Sequence, residues 1–366
     1  MGRVAYFVSP HGFGHAARAC AVMAEMRWRC RDIHFDIFTE VPRWFFSESL
    51  SGGITYHPLA SDIGLVQRSP LIEDLEATVD RLDAALHSDV EKTRELADCL
   101  RRLGSSIVIA DVSPLGLAAA AAASLPSVLV ENFTWDWIYL KYPNSPSRLR
   151  RHGRKMAEVF TAADLRIQTE PVCELLATAV QVPPVARSPG IERSVVRKRL
   201  GVPADASMIV VSMGGVPWDY RSFSNFEHTS GPWVVVPGGS EGVIQRRGRL
   251  LLLPFHTDVY HPDLVAASDV VVSKLGYSTV AEVYRAGSAF AYVRRPRFPE
   301  SPVLARWVEE HMLAAEVGED ALRNGSWLAA VENLLRAPRR KPDKSNGAAE
   351  AAEIILDRFG AVIGEP

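Results

Sequence analysis

The sequence lacks two features that would point to particular classes of protein. It has no surplus of charge, because 41 Lys and Arg residues nearly balance 43 Asp and Glu residues and leave a formal net charge of −2. A dedicated nucleic-acid-binding protein needs surplus cations to neutralise phosphates, so we expect no nucleic-acid partner. It also has no CxxC pair and no zinc-like Cys/His spacing, so we expect neither a disulfide framework nor a structural metal. The four cysteines are scattered as Cys20, Cys30, Cys99 and Cys173.

Long hydrophobic runs are missing as well. No apolar run reaches the roughly 20 residues that a membrane-spanning helix needs, and the N-terminus has a strand-like pattern where a signal peptide would have an apolar core. We therefore expect a soluble, cytoplasmic protein without a transmembrane segment. Because 366 residues exceed what one hydrophobic core usually serves, we also expect two domains with a cleft between them.

Short β-branched runs alternate with helical patterns along the chain, which is typical of a parallel α/β fold. The first series of runs lies at residues 4–9, 33–39, 54–57, 107–111, 128–131 and 165–168. The second lies at 208–212, 233–237, 249–253, 269–273 and 289–293, and a single polar stretch with helical spacing lies at 70–103. A Pro/Gly cluster at 182–190 separates the two series. We expect an N-terminal domain over residues 1–185, a C-terminal domain over 190–340, and a helix at 346–366 that crosses back to the first domain.

The first strand and helix are joined by a glycine-rich segment that ends in histidine. Residues 10–15 read Pro-His-Gly-Phe-Gly-His and precede a helix predicted over residues 16–26. Gly12 and Gly14 let backbone N–H groups approach a ligand, and a helix N-terminus favours negative charge. The same dipole disfavours a cationic imidazole, so His15 is a candidate proton acceptor. The alternative is a histidine that only caps the helix or fills the turn.

Asp111 is a second candidate at the same sheet edge. It ends the run at 107–111, and ligands bind at the carboxyl ends of strands in open α/β sheets. Its carboxylate could hold one nitrogen of His15 and stabilise the imidazolium that forms on proton transfer. The alternative is that Asp111 caps the helix that begins at Pro114.

Residues 131–137 follow the next strand and mix aromatic rings with hydrogen-bonding groups. Such a mixture suits a sugar, whose apolar ring faces pack on indoles while its hydroxyls need polar partners. The candidates for sugar contact are Asn132, Trp135 and Asp136. Core packing is the competing explanation for Trp135 and Trp137.

The second half of the chain contains further turns at strand ends. Gly214 and Gly215 follow the run at 208–212 and form a flexible turn that could approach phosphate. The arginines at 294–297 follow a later strand and could face phosphate or solvent, with solvent as the default.

The most informative segment is residues 268–282, in which a strand ends in a turn that opens a helix. Backbone N–H groups at 277–279 could cradle a diphosphate. Glu282, in the second turn of that helix, could accept hydrogen bonds from both hydroxyls of a ribose. The alternatives are ordinary capping by Ser278 and Thr279 and a favourable helix-dipole carboxylate at Glu282.

Together these motifs resemble the GT-B glycosyltransferases. The Gly-x-Gly-His loop and the Ser-x-x-Gly-x-x-Thr-x-x-Glu helix are similar to those of the branch that adds N-acetylglucosamine to lipid-linked peptidoglycan precursor. A closer resemblance, across nearly the whole chain, is to the glycosyltransferase-like N-terminal region of plant L-arabinokinases. It is carried by residues 11–15, 132–136, 274–282 and 293–300. We expect no counterpart here of the sugar kinase that follows in those plant proteins.

The resemblance implies a fold, a co-substrate and residue roles. The fold is GT-B, with two Rossmann-like domains whose parallel sheets face across a cleft, and the co-substrate is a nucleotide-diphosphate sugar, with a UDP-sugar favoured. No cofactor and no essential metal are implied. His15 would deprotonate an acceptor hydroxyl with help from Asp111, and the anomeric carbon would be inverted. The implied donor-binding residues are Gly214, Gly215, Ser273, Lys274, Gly276, Tyr277, Ser278, Thr279, Glu282 and Glu300. The implied acceptor or sugar contacts are His11, Gly12, Gly14, Asn132, Trp135 and Asp136.

The function expected from this resemblance is an inverting, metal-independent glycosyltransferase that acts on a small or medium acceptor. Two alternatives share the architecture, a non-catalytic module that binds a sugar or nucleotide sugar and a sugar-nucleotide epimerase. The presence of both His15 and Asp111 favours an enzyme, because a binding module needs no base–orienter pair.

Overall fold

The computed structural model describes residues 2–69, 71–85, 89–214, 223, 226–227, 230–342 and 345–364. Gly215, expected next to Gly214 at the donor, lies outside these residues. No helix within the described ranges is both long and apolar enough to cross a membrane.

The first half of the chain folds around a parallel sheet of seven strands. These are β1 (Gly2–Val8), β2 (Ile33–Thr39), β3 (Ile54–Pro58), β6 (Ile107–Asp111), β7 (Ser127–Glu131), β8 (Leu165–Thr169) and β9 (Val180–Val182). Their order in space is β3-β2-β1-β6-β7-β8-β9. A separate antiparallel hairpin consists of β4 (Gln67–Ser69) and β5 (Ile72–Glu73). The helices of this half are α1 (Phe13–Arg29), α2 (Arg43–Ser49), α3 (Leu75–Ala85), α4 (Asp89–Leu103), α5 (Pro114–Ala123), α6 (Trp135–Lys141) and α7 (Ser147–Thr161).

The second half contains another seven-stranded sheet. Its strands are β10 (Met208–Ser212), β11 (Trp233–Ser240), β12 (Gln245–Arg247), β13 (Leu250–Pro254), β14 (Val270–Lys274), β15 (Ala289–Val293) and β16 (Ala314–Glu316). Their order is β12-β13-β11-β10-β14-β15-β16, and only the pairing of β12 with β13 is antiparallel. The helices are α8 (Arg193–Leu200), α9 (His261–Ala267), α10 (Tyr277–Ala286), α11 (Ser301–His311), α12 (Glu319–Asn324), α13 (Leu328–Arg336) and α14 (Gly347–Ile363).

Both faces of the first sheet are buried, which explains the apolar runs at residues 4–8 of β1 and 107–110 of β6. Side chains of β1 alternate between two layers, as the two-residue period of a strand requires. Val4, Tyr6 and Val8 face the layer that contains α1, whereas Ala5 and Phe7 face the layer that contains α4 and α5.

Helix α14 follows the second sheet in sequence but packs against the first. Its apolar side chains, among them Ala351, Ile355 and Phe359, join the same core as Val4 and the helix α1. Asn346 anchors its start. The Oδ1 atom accepts hydrogen bonds from Ala348 N (3.1 Å) and Ala186 N (3.2 Å), and Nδ2 donates to Ala186 O (2.9 Å). This one side chain therefore caps α14 and binds the segment that joins the two halves.

Several sequence-based boundaries were wrong. The single helical stretch at 70–103 contains two helices, α3 and α4, within its described residues. Helix α1 begins at Phe13 rather than at residue 16, so Gly14 and His15 lie in its first turn. The strands β4, β5, β9, β12 and β16 were not predicted, because runs of two or three residues are too short to show a period.

We predict that Asn346→Ala lowers the free energy of unfolding by about 2–3 kcal/mol, because the cap is lost and two buried backbone groups of Ala186 lose their partner. Urea denaturation followed by circular dichroism measures this. The control is Asn333→Ala on the exposed face of α13, which should change stability by less than about 0.5 kcal/mol. If both substitutions lowered the free energy of unfolding equally, the stabilising role of the Asn346 hydrogen bonds would be contradicted.

Candidate active site

The carboxyl ends of the two sheets face each other through glycine turns. Gly12 (φ 75°) precedes α1 and Gly214 (φ 64°) follows β10, and both adopt the left-handed region that favours glycine. A Cβ atom on Gly14 would lie 3.4 Å from Ser278 Oγ, and one on Gly12 would lie 4.0 Å from Gly214 O. The absence of side chains at these glycines therefore lets the start of α1 approach the start of α10.

His15 and Asp111 form a buried pair in this cleft, and the contact expected between them is present. Nδ1 of His15 lies 2.7 Å from Oδ1 of Asp111, and the two residues are 7% and 0% exposed. Burial by itself raises the pKa of the Asp111 carboxyl, but the positive charge of Arg18 and hydrogen bonds from Arg18 and His15 lower it overall. An ionised Asp111 requires a proton on Nδ1, which leaves Nε2 as the nitrogen that can accept a proton.

The capping alternatives for these residues are wrong. Helix α5 is capped by Ser113, whose Oγ accepts a hydrogen bond from Gly116 N at 3.1 Å, because the turn after β6 places the cap two residues beyond Asp111. Helix α1 has Gly12 at its N-cap, so His15 does not cap it.

Arg18 completes this cluster, although it is not among the functional residues predicted from the sequence. Its Nε donates to Asp111 Oδ2 at 2.7 Å and its Nη2 donates to Asp111 Oδ1 at 2.6 Å. Its Nη1 donates to Asn132 Oδ1. His15 and Arg18 are three residues apart in α1 and so lie on one face of the helix, which was the signal available in the sequence.

A cavity that opens to solvent lies between the two halves beside His15, with about 800 Å³ of empty space including its solvent-open part. From the first half it is lined by His11, Gly12, Gly14, His15, Asn132 and Trp135, among others. From the second half it is lined by Gly214, Lys274, Gly276, Tyr277, Ser278, Thr279 and Glu300, among others. Of the remaining candidates, Asp136 and Ser273 do not line its described part. Ser273 is fully buried within β14, and Asp136 lies in the first turn of α6.

Residues 131–137, which are rich in aromatic side chains, mainly give structural support to the site. Asn132 is 3% exposed, and besides accepting from Arg18 it donates through Nδ2 to Thr169 Oγ1 at 2.7 Å. Trp135 is 1% exposed within a core cluster that also contains Trp137, so core packing accounts for both tryptophans. The edge of Trp135 still supports the cavity, because its ring meets that of His11 at 5.1 Å in a T-shaped contact.

The opposite wall carries positive charge. Burial in the cleft, together with repulsion by Arg295, lowers the pKa of Lys274 to about 7, while Glu300 opposes the shift. Nη2 of Arg295 donates to Glu300 Oε1 at 2.6 Å, and Arg295 is only 7% exposed. The default that these arginines face solvent is therefore wrong for Arg295. The second carboxylate oxygen of Glu300 is buried without a hydrogen-bond partner among the described residues.

The start of α10 presents backbone donors to the same space. Gly276 is the N-cap and makes no side-chain capping bond, so the interpretation of Ser278 and Thr279 as caps is wrong. The first N–H groups of a helix have no intrahelical partner, and here they belong to Tyr277, Ser278 and Thr279.

A second cavity, with about 750 Å³ of empty space including its solvent-open part, adjoins the first and is lined by Glu282. Glu282 is 5% exposed, with Oε1 accepting from Arg187 Nε at 2.9 Å and Oε2 lying 3.0 Å from His261 Nδ1. Burial raises the pKa of Glu282, but the charge of Arg187 and the contact with His261 lower it overall, so the carboxylate is charged. Rings of Phe13, Trp44, Phe45 and Phe255 form an aromatic wall in this cavity. Neither Arg187 nor His261 stood out in the sequence, because each is a single residue in an irregular segment or at a helix start.

No group of three or more His, Cys, Asp or Glu side chains suited to a metal ion occurs among the residues that the structure describes. Several charged side chains of the cleft pair with each other, as in the contacts of Asp111 with Arg18 and Glu282 with Arg187.

Two curated proteins are similar to this chain in sequence, whereas no known family profile matches it. L-arabinokinase of Arabidopsis thaliana is 30% identical over 360 residues, which cover 96% of this chain and 34% of that protein. An uncharacterized glycosyltransferase of Methanopyrus kandleri is 24% identical over 289 residues, which cover 75% of this chain and 81% of that protein. The chain thus spans about a third of the L-arabinokinase that it matches.

Solved glycosyltransferases have the same fold. MurG of Acinetobacter baumannii has a TM-score of 0.57 at 15% identity, with 99% of this chain and 100% of that chain covered. Arabidopsis thaliana UGT89C1, in complex with UDP, has a TM-score of 0.60 at 12% identity, with 98% and 100% covered. The expected fold class is confirmed: the two largely parallel sheets form the GT-B fold of these solved glycosyltransferases.

Proposed function

We propose that the protein is an inverting glycosyltransferase that moves a sugar from a nucleotide-diphosphate donor to a hydroxyl of a small or medium acceptor. The observation that carries this proposal is that His15, held by the buried Asp111, lines one cavity together with the N-terminus of α10 and Lys274. A proton acceptor and an anion-binding helix end are the two components that such a transfer needs.

The donor occupies the second half of the cleft in this proposal. Residues 190–340 form the donor domain, and residues 1–185, braced by the helix within 346–366, form the acceptor domain. The N–H groups at 277–279 and the ammonium of Lys274 bind the diphosphate, while Glu282 accepts hydrogen bonds from the ribose. The unpartnered oxygen of Glu300 accepts from hydroxyls of the transferred sugar. A UDP-sugar is favoured; one structural neighbour is complexed with UDP and another with thymidine diphosphate, which supports a nucleoside-diphosphate donor.

The transfer itself uses Nε2 of His15. The acceptor hydroxyl gives its proton to Nε2 while its oxygen attacks the anomeric carbon, and the bond from that carbon to the diphosphate oxygen breaks on the opposite face. The configuration at the anomeric carbon is therefore inverted. Asp111 stabilises the imidazolium, and the start of α10 with Lys274 stabilises the departing diphosphate. We propose that these groups work without a metal ion, so that transfer continues in EDTA.

Donor and activity are tested first with the purified wild-type chain. Thermal shifts with UDP-, GDP-, ADP- and dTDP-glucose identify the base that binds, and mass spectrometry of products with candidate acceptors detects transfer. Conversion of the donor sugar without any acceptor would show an epimerase. Binding without conversion over the acceptor panel would show a binding module, and no thermal shift with any of the four would contradict the donor site.

We predict that His15→Ala lowers turnover by about 10²–10⁴-fold and changes donor affinity little, because general-base catalysis contributes that much and His15 is placed on the acceptor side. Initial rates and calorimetric donor binding measure the two effects. His311→Ala, at the exposed end of α11, is the matched control and should keep the wild-type rate. An unchanged rate in His15→Ala would remove His15 from the mechanism.

We predict that donor affinity falls as the pH rises above about 7, because Lys274, with a pKa near 7, loses the charge that attracts the diphosphate. The dissociation constant of the best-binding nucleotide sugar should rise up to about tenfold per pH unit between pH 7 and 9. Isothermal titration calorimetry at pH 6, 7, 8 and 9 measures it.

Lys274→Met should bind weakly at every pH and lose most of this dependence. The exposed Lys198→Met on α8 is the control and should behave as the wild type. The same pH dependence in Lys274→Met and in the wild type would show that another group is responsible.

A further inference from the structure

Arg18 donates hydrogen bonds to both carboxylate oxygens of Asp111, the residue that also contacts His15. Besides its two hydrogen bonds to Asp111, its Nη2 lies 3.4 Å from Nδ1 of His15 itself. The three residues are at most 7% exposed, so little water screens the charges among them. Asn132 also positions Arg18, because Nη1 of Arg18 donates to Asn132. Asn132 in turn donates a hydrogen bond to Thr169.

This arrangement balances the charge of the catalytic pair. With Arg18 positive, Asp111 negative and His15 neutral, the three side chains carry no net charge. Without the guanidinium, the buried pair would carry one negative charge, and protonation of His15 would relieve it. A protonated His15 cannot take a proton from an acceptor, so Arg18 opposes the form of His15 that is inactive as a base.

Other titratable and charged groups face this cluster from the elements around it. They are Tyr6 of β1, His11 before α1, Asp62 after β3, Glu131 of β7, Lys274 at the end of β14 and Arg295 after β15. Burial raises the pKa of Asp62 to about 7 and lowers the pKa of His11 well below its usual value. Among the described residues, the cation that hydrogen-bonds Asp111 directly is Arg18.

We propose that Arg18 is a positioning residue that keeps His15 neutral and correctly oriented, so that the working unit is the trio His15, Asp111 and Arg18 rather than a pair. The catalytic consequence rests on the proposed function, whereas the charge balance does not. During transfer the acceptor proton moves to Nε2, and the trio becomes positive as the departing diphosphate gains negative charge. The trio is thus charged only when that charge helps the reaction.

The test follows the imidazole of His15 directly by NMR of protein labelled with ¹³C-histidine. The His15 signal is assigned by its loss in His15→Gln, and pH titrations are compared for the wild type, Arg18→Gln, Arg18→Lys and the double variant Arg18→Gln/Asp111→Asn. Arg18→Gln should raise the titration midpoint of His15 by about 1–2 pH units. Arg18→Lys, which keeps the charge, should stay within about 0.5 pH unit of the wild type.

The double variant removes both charges and keeps the result decisive even where Arg18→Gln does not fold. If Arg18 balances the charge of Asp111, the titration midpoint of His15 in the double variant lies within about 0.5 pH unit of the wild-type value. A midpoint at least about one unit below the wild type would show that Asp111 acts alone on His15 and would overturn the inference. An unchanged midpoint in folded Arg18→Gln would overturn it as well.

Activity separates this inference from the proposed function. In Arg18→Gln the acidic limb of the pH–rate profile for glycosyl transfer should move to higher pH by the same amount as the NMR midpoint. A shifted midpoint together with no transfer by the wild type would contradict the proposed function and support the charge balance. If the wild type and Arg18→Gln both transferred sugar, and neither the acidic limb of the pH–rate profile nor the NMR midpoint of His15 moved, only the inference about Arg18 would be contradicted.

Discussion

The buried charge of Asp111 is the constraint on which the first half of the cleft depends. A carboxylate that is fully buried at the end of a strand destabilises a fold unless cations and hydrogen-bond donors compensate it. Here both compensating side chains, His15 and Arg18, come from one face of α1. The apolar face of α1 packs in the first core, and the pairing of its His15 and Arg18 with Asp111 is consistent with the same orientation of the helix against the sheet.

A parallel arrangement holds the second half. Glu282 is also buried, and its partner Arg187 belongs to the segment that joins the two sheets. The guanidinium of Arg187 also lies over the rings of Phe45 (4.6 Å) and Tyr260 (5.2 Å), which come from opposite halves of the chain. One cation thus compensates the buried carboxylate of the proposed donor site and binds both halves to their connection.

Prediction from the sequence succeeded where a local rule was enough. The strands Ile33–Thr39, Ile107–Asp111 and Ala289–Val293 have the predicted bounds, because short runs rich in β-branched and aromatic residues favour strands. The contact of His15 with Asp111 was expected because both follow strands to one sheet edge. Arg18 was missed as a functional residue, since its value depends on Asp111 and Asn132, which are 93 and 114 residues away.

The sequence by itself determined two α/β halves and the turns that lie at their carboxyl edges, because periodicity and glycine placement act over about ten neighbouring residues. Only the tertiary structure decided which cation compensates each buried carboxylate, that Arg295 points inward, and that Asp136 and Ser273 stay out of the cavity. These outcomes depend on how segments distant in sequence pack against each other. The free energy of burying a charge is set by those neighbours and not by the local chain.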